Sequence, residues 1–596
     1  MTGKLFQLIS LLYSSGPFRG GYLLWQKLFT KLSRRVALLR YFYLERKYIQ
    51  TLRKKSNILL NQMAYKPLFS IIMPVYNIDE KWLKRAIESV RKQIYPYWEL
   101  CIADDASTRI HVREVLNRYS KLDTRIKVIF REKNGGISAA SNSALEMATG
   151  DYVVILDHDD ELAPHALYEN AKLINRYPEA DYIYSDRDLI DTNQKRFRLA
   201  FKPDWSPQHF YACMYTFHLG VFRTTLIRQL NGFCSDYDGA QDYDLALKVI
   251  EKTKNIFHIH KVLYHWRTLP TSLSSGPVKK YAFMASVNAV QASLDRRGIK
   301  AKVKPYNDIL GGDYHQVDYE IIGNPLVSII IINSCKILQQ KHMPALQNCL
   351  QAVIEKTSYK NWEVIVVDGS GTAQVVLDKI ALLNDFKLVP CDEHLNFPQQ
   401  VNLAAGQASG DYLLLLDDDT EPINSEWLES LLQLAQLEEV GAVGAKLIFP
   451  DHTLNHVGIV IPDVQKFYYG YPYYRYSDSY SGYCNFCKIV RNYIAVTKAC
   501  LMVKRSSFEK VGGLNEDLPY NYNDIEFCLK LHRAGYHNVY TPYARLYHYE
   551  CPSREPVQAW EVAYMQAHWS DYMQSLGGYD PYYNLNFSPH SANFEL

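Results

Sequence analysis

The sequence lacks a strong net charge. Its 66 lysine and arginine residues are nearly balanced by 63 aspartate and glutamate residues, which leaves a formal charge of +3 over 596 residues. A protein held on nucleic acid by its overall field would carry a clear positive excess. We therefore expect no nucleic-acid partner.

The sequence also lacks an organised set of cysteines. The 11 cysteines are odd in number and scattered from Cys101 to Cys551. This distribution does not fit a disulfide framework and favours a reducing compartment. Cys484 and Cys487 form one C-x-x-C, but no second pair follows at the spacing of a structural zinc site. We expect a cytoplasmic protein.

Residues 1–66 contain almost no acid. Glu45 is the single acidic residue against 13 lysines and arginines, and aliphatic and aromatic residues recur among them partly at helical spacing. The apolar runs are too short to span a bilayer, and no small-residue cleavage site accompanies them. We predict a basic amphipathic helical segment over 1–66 that lies on the anionic inner face of the cell membrane. The alternative is a solvated helical hairpin docked on the following domain.

The chain is too long for one hydrophobic core, and it repeats itself. GDYVVILDHDD at 150–160 is echoed by GDYLLLLDDDT at 410–420, and AQDYDLALKV at 240–249 by YNDIEFCLKL at 522–531. Two copies of one fold are the simplest interpretation. We predict domains at 67–305 and 325–565, a linker at 306–324 and a C-terminal tail at 566–596.

Each copy alternates short β-branched runs with amphipathic helical stretches, which predicts a mainly parallel, Rossmann-like α/β sheet. Ligands of such sheets bind at the carboxyl ends of the strands. Those ends carry clusters of carboxylates, around Asp157 in the first copy and Asp417 in the second. Clustered carboxylates are costly unless a cation lies among them, which indicates Mg²⁺ or Mn²⁺ carrying a phosphate.

Six motifs occur in order within residues 68–305: PVYN, DDAST, NGGISAASN, GDYVVILDHDD, QDYDLALKV and LYHW. This set resembles the family 2 glycosyltransferases of the GT-A fold, and a second set over about 325–555 resembles the same family. SDRDLID followed by FKPDWSP looks like the bacterial tandem enzymes that build surface polysaccharides. The resemblance implies a bifunctional enzyme with two tandem GT-A domains. Each would transfer a sugar, with inversion, from a UDP- or dTDP-sugar to a lipid-linked glycan such as O-antigen.

The resemblance also assigns roles in the first copy. It makes Asp242 the general base, although a carboxylate at a helix N-terminus can also serve the helix dipole alone. Asp159 would be the direct metal ligand and Asp157 would lie nearer the ribose, within reach of the metal. His265 would reach the metal or the diphosphate, or else be a core histidine. The nucleotide-sugar pocket would comprise Pro74, Tyr76, Asp105 (or its neighbour Asp104), Asn134 and Asp157.

In the second copy the corresponding residues are Asp417 and Asp419 for ribose and metal, His548 for the metal, and Asp524 for the base. Its nucleotide pocket would use Asn333, Asp368 and Asp417. The expected proline after the first strand is absent from this copy. The second domain could therefore be a non-catalytic glycan-binding or scaffolding module instead.

Two further interpretations concern loops. A sugar-1-phosphate nucleotidyltransferase would need a Gly-rich phosphate loop with Arg and Lys after the first strand, and PVYN does not provide one. The tyrosine-rich segment 467–483 can present flat faces to sugars or lipid headgroups, or it can pack its own rings as a folded loop.

Overall fold

The computed structural model describes residues 19–269, 278–306, 314–379, 386–549 and 556–596. A 43-residue helix, α1 (Arg19–Asn61), precedes two α/β domains, which confirms the predicted helical character of the basic segment from residue 19 onward. The first 18 residues of that segment lie outside the described ranges. Within those ranges, no helix combines the length and the apolar character that crossing a membrane requires.

Domain one alternates strands and helices as predicted. Its elements are β1 (Phe69–Val75), α2 (Glu80–Arg91), β2 (Trp98–Asp104), α3 (Ile110–Leu122), β3 (Ile126–Phe130), α4 (Ile137–Glu146), β4 (Tyr152–Ile155), β5 (Glu161–Leu162), α5 (Ala166–Arg176), β6 (Tyr182–Ile190), β7 (Arg196–Ala200), α6 (Pro207–Ala212), β8 (Gly220–Arg223), α7 (Thr224–Gln229), α8 (Gln241–Ile250), β9 (Ile256–Arg267), α9 (Val278–Arg296), β10 (Ala301–Pro305) and β11 (His315–Tyr319). The main sheet has the order β3-β2-β1-β4-β8-β6-β9-β5, with β7 beside β6. Strands β1 to β4 are parallel neighbours in it.

Domain two repeats this plan. Its elements are β12 (Val327–Ile332), β13 (Ile337–Leu338), β14 (Met343–Pro344), α10 (Ala345–Lys356), β15 (Trp362–Asp368), α11 (Ala373–Lys379), β16 (Phe386–Pro390), α12 (Phe397–Gln407), β17 (Tyr412–Leu416), β18 (Thr420–Pro422), α13 (Trp427–Ala435), β19 (Val440–Ile448), β20 (Leu454–His456), β21 (Val460–Asp463), β22 (Tyr468–Gly470), β23 (Arg491–Tyr493), β24 (Cys500–Lys504), α14 (Arg505–Lys510), α15 (Asn523–Arg533), β25 (His537–His548) and α16 (Ala559–Ser575). The sheet order is β16-β15-β12-β17-β24-β19-β25-β18. Each strand corresponds to the strand of domain one at the same position, which confirms two copies of one fold.

The two copies share buried contacts as well as topology. In domain one the Ser70 hydroxyl donates to Glu99 Oε1 (2.6 Å) and accepts from the Gly150 amide (2.8 Å). In domain two the Ser328 hydroxyl donates to Glu363 Oε1 (2.7 Å) and accepts from the Gly410 amide (2.9 Å). A Cβ at Gly150 would lie 2.5 Å from a backbone carbonyl oxygen, so this close approach requires glycine.

The helix α1 docks on domain one through its C-terminal half. Leu52 and Leu60 are buried there, and the Tyr48 hydroxyl donates to Glu169 Oε1 (2.5 Å). The Tyr41 hydroxyl accepts a hydrogen bond from the Val262 amide in β9 (3.3 Å). The predicted basic segment is therefore part of the folded body from about residue 41.

The segments predicted as linker and tail contribute to the folded structure. Strand β11 lies within the predicted linker 306–324 and pairs antiparallel with β10. Helix α16 extends into the predicted tail 566–596, and the chain then returns to domain one. There the Tyr579 hydroxyl donates to Asp204 Oδ2 (2.8 Å), and Asn584 Nδ2 donates to Asp186 Oδ1 (3.1 Å). The terminal residues of the chain thus join the two domains.

Candidate active sites

The carboxyl ends of β1, β2 and β4 bring the predicted residues of domain one to one edge of the sheet. Pro74 lies near the end of β1, and its carbonyl accepts a hydrogen bond from His158 Nδ1 (3.0 Å). Tyr76, directly after β1, is 46% exposed. Because β1 lies between β2 and β4, the loops that follow these strands meet at one cleft.

Asp105 is buried and orders the Asn-Gly-Gly loop. Its carboxylate accepts hydrogen bonds from the amides of Gly135 (3.0 Å) and Gly136 (2.9 Å), and it forms an ion pair with Arg131 Nε (2.9 Å). The Asn134 side chain donates to the Asp105 carbonyl (3.1 Å). Gly136 has a φ of +88°, which a residue with a side chain rarely adopts. Asp105 and Asn134 therefore lie together on the wall of the cleft, with the Asp105 carboxylate engaged by the protein.

Asp242, the candidate base, and Asp157, the residue expected near the ribose, lie in the same cleft of domain one. Asp242 is in the first turn of α8, where its Oδ1 accepts a hydrogen bond from the Tyr243 amide (2.9 Å). Burial, together with the neighbouring charges of Asp159 and Asp242, raises the pKa of Asp157 to about 7. Burial also raises the pKa of Asp242 to about 6. This concentration of negative charge favours a cation.

Asp160, which sequence reasoning did not single out, organises this carboxylate cluster. It is 1% exposed and accepts hydrogen bonds from the Tyr264 hydroxyl and the Arg267 amide, both at 2.6 Å. The Arg267 Nε donates to the Asp159 carbonyl (2.7 Å). Arg267 is the residue directly after LYHW, so a structural arginine follows the histidine of that motif.

His265 does not join Asp157 and Asp159 at ligand distances in the described ranges. Its Nδ1 lies 2.7 Å from Oδ1 of Asp188, the facing residue on β6. A different histidine, His218, approaches Asp157, with its Nε2 3.9 Å from Asp157 Oδ2. Burial lowers the pKa of His218 to about 3, so this side chain is neutral and does not offset the carboxylates.

Domain two brings the equivalent three side chains together. One oxygen of Asp417, one of Asp419 and one nitrogen of His548 lie within 4.8 Å of each other. The His548 Nε2 is 3.2 Å from Asp419 Oδ1, and its Nδ1 lies 3.0 Å from Asn455 Oδ1. Two carboxylates and an imidazole suit a divalent cation such as Mn²⁺. The geometry of the predicted residues therefore fits the implied metal.

Two lysines also lie at this cluster, and sequence reasoning missed both. Lys336 Nζ is 2.8 Å from Asp419 Oδ2, and Lys498 Nζ is 3.3 Å from Asp417 Oδ1. Burial alone would raise the pKa of Asp419, yet His548 and Lys336 hold it below its ordinary value. In the described part of domain one, no lysine or arginine forms an ion pair with Asp157 or Asp159. The two copies thus balance the same carboxylates differently.

The nucleotide-pocket residues of domain two contact each other. Asn333 Nδ2 donates to Asp368 Oδ1 (2.9 Å), and the Asp368 carboxylate also accepts from the Ala373 amide at the start of α11 (2.8 Å). Asp524 repeats the position of Asp242 in the first turn of α15, and its Oδ2 accepts from the Lys498 amide (3.2 Å). Domain two thus retains an aspartate at the position of Asp242.

A second group of possible metal ligands lies outside both clefts. It consists of Asp204, His258 and His260. The two ring nitrogens of His258 lie 3.0 Å from Asp204 Oδ1 and 3.0 Å from Asp186 Oδ1. Burial opposes a charge on His258, but the two carboxylates keep its pKa above the ordinary value. We interpret the group as a partly buried ion cluster that receives the C-terminal segment.

The tyrosine-rich segment packs largely on itself. Tyr473 is 2% exposed, and its ring centroid lies 5.9 Å from that of Tyr476 and 5.3 Å from that of Tyr480. Tyr468 and Tyr474 remain 45% and 44% exposed. The folded-loop interpretation therefore describes the centre of the segment.

Known proteins resemble this chain over most of its length. The family model described as "Glycosyl transferase family 2" matches residues 70–230 and 340–496. The chain is 38% identical over 572 residues to "Uncharacterized protein y4gI" of Sinorhizobium fredii, covering 92% of this chain and 60% of that protein. It is 34% identical over 529 residues to "O-antigen biosynthesis protein RfbC" of Myxococcus xanthus, covering 88% of this chain and 40% of that protein. The chain thus spans 60% or less of the length of these two relatives.

Among solved structures, S. aureus TarS 1-349 in complex with UDP-GlcNAc aligns with a TM-score of 0.31 and 22% identity. That alignment covers 39% of this chain and 72% of the other.

Proposed function

The chain belongs to glycosyl transferase family 2, and from this premise we propose that it is a bifunctional inverting glycosyltransferase. Each domain would move a sugar from a nucleoside diphosphate donor, UDP- or dTDP-linked, to a lipid-linked glycan of the cell surface. The observation that carries the proposal is the cluster of Asp417, Asp419 and His548 after β17, whose ligand atoms lie within 4.8 Å of one another. One relative is named an O-antigen biosynthesis protein, which makes O-antigen a candidate glycan for this chain.

In domain one, Asp242 accepts the proton of the acceptor hydroxyl as its oxygen attacks the anomeric carbon. The bond between that carbon and the β-phosphate oxygen breaks, and the nucleoside diphosphate leaves with the electron pair. A carboxylate whose pKa is about 6 is ionised at neutral pH and more basic than an exposed aspartate. Burial thus prepares Asp242 for this step.

Asp157 and Asp159 would hold Mg²⁺ or Mn²⁺ in domain one, where His265 would act on the metal or the diphosphate. In domain two Asp417, Asp419 and His548 would hold the metal. When bound, such a cation offsets the charge of the diphosphate. In domain two, Lys336 and Lys498 lie where they can contact the same phosphates. We therefore expect a stricter metal requirement in domain one than in domain two.

Asp524 would be the base of domain two. A non-catalytic domain two is the competing interpretation, because the proline expected after the first strand is absent from its nucleotide pocket. The arrangement of Asp417, Asp419 and Asp524 favours catalysis, since a scaffolding module has no need of these carboxylates in a cleft.

One experiment separates the two interpretations. First, nucleotide sugars are screened for metal-dependent hydrolysis by the full chain. The Asp242→Asn and Asp524→Asn variants are then incubated with the active donors and a lipid-linked acceptor. Two active domains predict glycans truncated at two different points, as read by mass spectrometry. Products of Asp524→Asn identical to those of the parent would show that domain two is not a catalyst.

We also propose that α1 lies on the membrane through the face opposite its docked face. Val36, Leu39 and Tyr43 are 59%, 64% and 65% exposed and recur at steps of three and four residues. Arg40 and Lys47 lie on the same face, about half a turn from the docked residues at 100° per residue. Exposed apolar side chains among basic ones suit an anionic lipid surface. The protein would then be cytoplasmic and peripheral on the inner face.

A further inference from the structure

Glu45, the only acid among residues 1–66, contacts domain one. Its carboxylate forms an ion pair with Arg196, in which Nη2 lies 3.0 Å from Oε1 and Nη1 contacts Oε2. One turn earlier on α1, the ring of Phe42 lies under the same guanidinium, with its centroid 4.8 Å away. Residues three apart on a helix share a face, so α1 holds Arg196 with two neighbouring side chains.

Arg196 in turn contacts a residue that holds His265. Its Nε forms an ion pair with Asp188 Oδ2, and Asp188 Oδ1 lies 2.7 Å from Nδ1 of His265. The side chain of Asp188 is 0% exposed and that of Glu45 is 9% exposed. A buried carboxylate needs a hydrogen-bonded cationic partner, and Arg196 serves both. The contacts therefore run without a gap from α1 to the end of β9.

We propose that Glu45, Arg196 and Asp188 are positioning residues for His265, so that the seating of α1 on domain one sets the donor site of that domain. This inference rests on the function proposed above, in which His265 acts on the metal or the diphosphate. An imidazole whose Nδ1–H is fixed by a carboxylate directs its Nε2 one way. Arg196 contacts one oxygen of Asp188 and leaves the other to His265, and Glu45 holds the guanidinium in that position.

Domain two offers an internal comparison. Its histidine, His548, has Nδ1 3.0 Å from the amide oxygen of Asn455 rather than a carboxylate. Asn455 lies on β20, beside β19 of domain two. The contacts described for α1 from Tyr41 to Leu60 are with domain one. Loss of Glu45 should therefore affect domain one and leave domain two unchanged.

The test uses the full chain with Asp419→Ala to weaken the site of domain two, and UDP as the probe. The apparent affinity for Mn²⁺ is measured at saturating UDP by titration. Glu45→Gln keeps the size of the side chain but removes its charge, and it should weaken Mn²⁺ binding about fivefold or more. Asp188→Asn should weaken it further, because Asp188 contacts His265 directly.

Tyr48→Phe is the matched control. It removes a hydrogen bond between the same helix and Glu169, one turn from Glu45, and should leave Mn²⁺ binding unchanged. Equal effects of Glu45→Gln and Tyr48→Phe would mean general loosening of the helix and would overturn the inference. So would a Glu45→Gln variant that binds Mn²⁺ like the parent.

His265→Ala distinguishes failure of this inference from failure of the proposed function. If His265→Ala leaves Mn²⁺ binding with UDP unchanged, the role of His265 in the proposed function is wrong and the inference fails with it. If His265→Ala weakens binding and Glu45→Gln does not, the inference alone fails. Parallel weakening by His265→Ala, Asp188→Asn and Glu45→Gln, in decreasing order, is the expected result.

Discussion

Asp242→Asn should slow transfer in domain one and at the same time stabilise the folded protein above pH 6. The two effects come from the same carboxylate. As a base, Asp242 must be ionised, and its loss should slow transfer by roughly 10²-fold or more. As a buried charge it is unfavourable, because burial raises its pKa from 3.8 to about 6. The asparagine keeps the oxygen that accepts from the Tyr243 amide at 2.9 Å.

The size and pH range of the stabilisation follow from the pKa. A pKa raised from 3.8 to about 6 corresponds to at most about 3 kcal/mol between the charged and neutral forms. Solvent enters the cleft and screens the charge, so on the order of 1 kcal/mol is expected, about 2–4 °C in Tm for a domain of this size. A carboxyl group whose pKa is higher in the folded than in the unfolded protein stabilises the fold below the unfolded pKa. This contribution is lost as the pH rises through the folded pKa. The gain of the variant should therefore be absent at pH 4 and complete above pH 6.

Thermal unfolding from pH 4 to pH 8, with and without Mn²⁺, measures the stability effect, and transfer from an active donor measures the chemical one. The donor's dissociation constant should change little, since Asp242 faces the acceptor in this mechanism. A variant that is less stable than the parent at every pH would refute the assignment of a costly buried charge. Transfer within tenfold of the parent at pH 7.5 would refute the assignment of the base.

Three other results are expected. Asp159→Ala should abolish Mn²⁺-dependent donor binding by domain one and leave Mn²⁺-dependent donor binding by domain two intact. If both domains still bind the donor in the presence of EDTA, neither site uses a metal. Lys498→Ala should make donor binding by domain two more dependent on Mn²⁺, because Asp417 loses a cationic neighbour 3.3 Å away; an unchanged EDTA response would argue against charge replacement. Leu39→Ser combined with Tyr43→Ser should reduce cosedimentation with anionic vesicles while donor hydrolysis continues, and salt should reduce the binding of the parent. Unaltered cosedimentation of that double variant would place the lipid contact elsewhere.

Much of the fold was predictable because it follows from local pattern. Strand runs such as FSIIMPV are apolar on both faces, as parallel strands covered by helices require, and their alternation with amphipathic helices predicted the sheet. The positions of Asp157 after β4 and of Asp417 after β17 followed from the same pattern. The repeat itself predicted that one description would serve both domains.

The charge balance of each cleft was not predictable, because it depends on contacts between residues far apart in sequence. Lys336 reaches Asp419 across 83 positions, and Lys498 reaches Asp417 across 81. The sequence did contain a signal for Lys498. The run TKAC leads into β24 of domain two at the place where FHLG leads into β8 of domain one, so a lysine stands where domain one has a histidine. The Glu45 to Arg196 contact spans 151 positions, and only the scarcity of acid in residues 1–66 pointed to Glu45.

The two copies therefore share a fold and a set of carboxylates but differ in the cations around them. In domain one the neutral His218 approaches Asp157. The pKa of Asp157 is raised because burial and the neighbouring carboxylates disfavour its charge and no cationic side chain offsets it among the described residues. In domain two the ammonium groups of Lys336 and Lys498 offset the same charge. A duplicated domain that acquires lysines at its metal position can bind a diphosphate with less dependence on a cation, at the cost of a weaker metal site. The difference between the copies is thus electrostatic rather than architectural, and it predicts that chelation will inhibit the first transfer more strongly than the second.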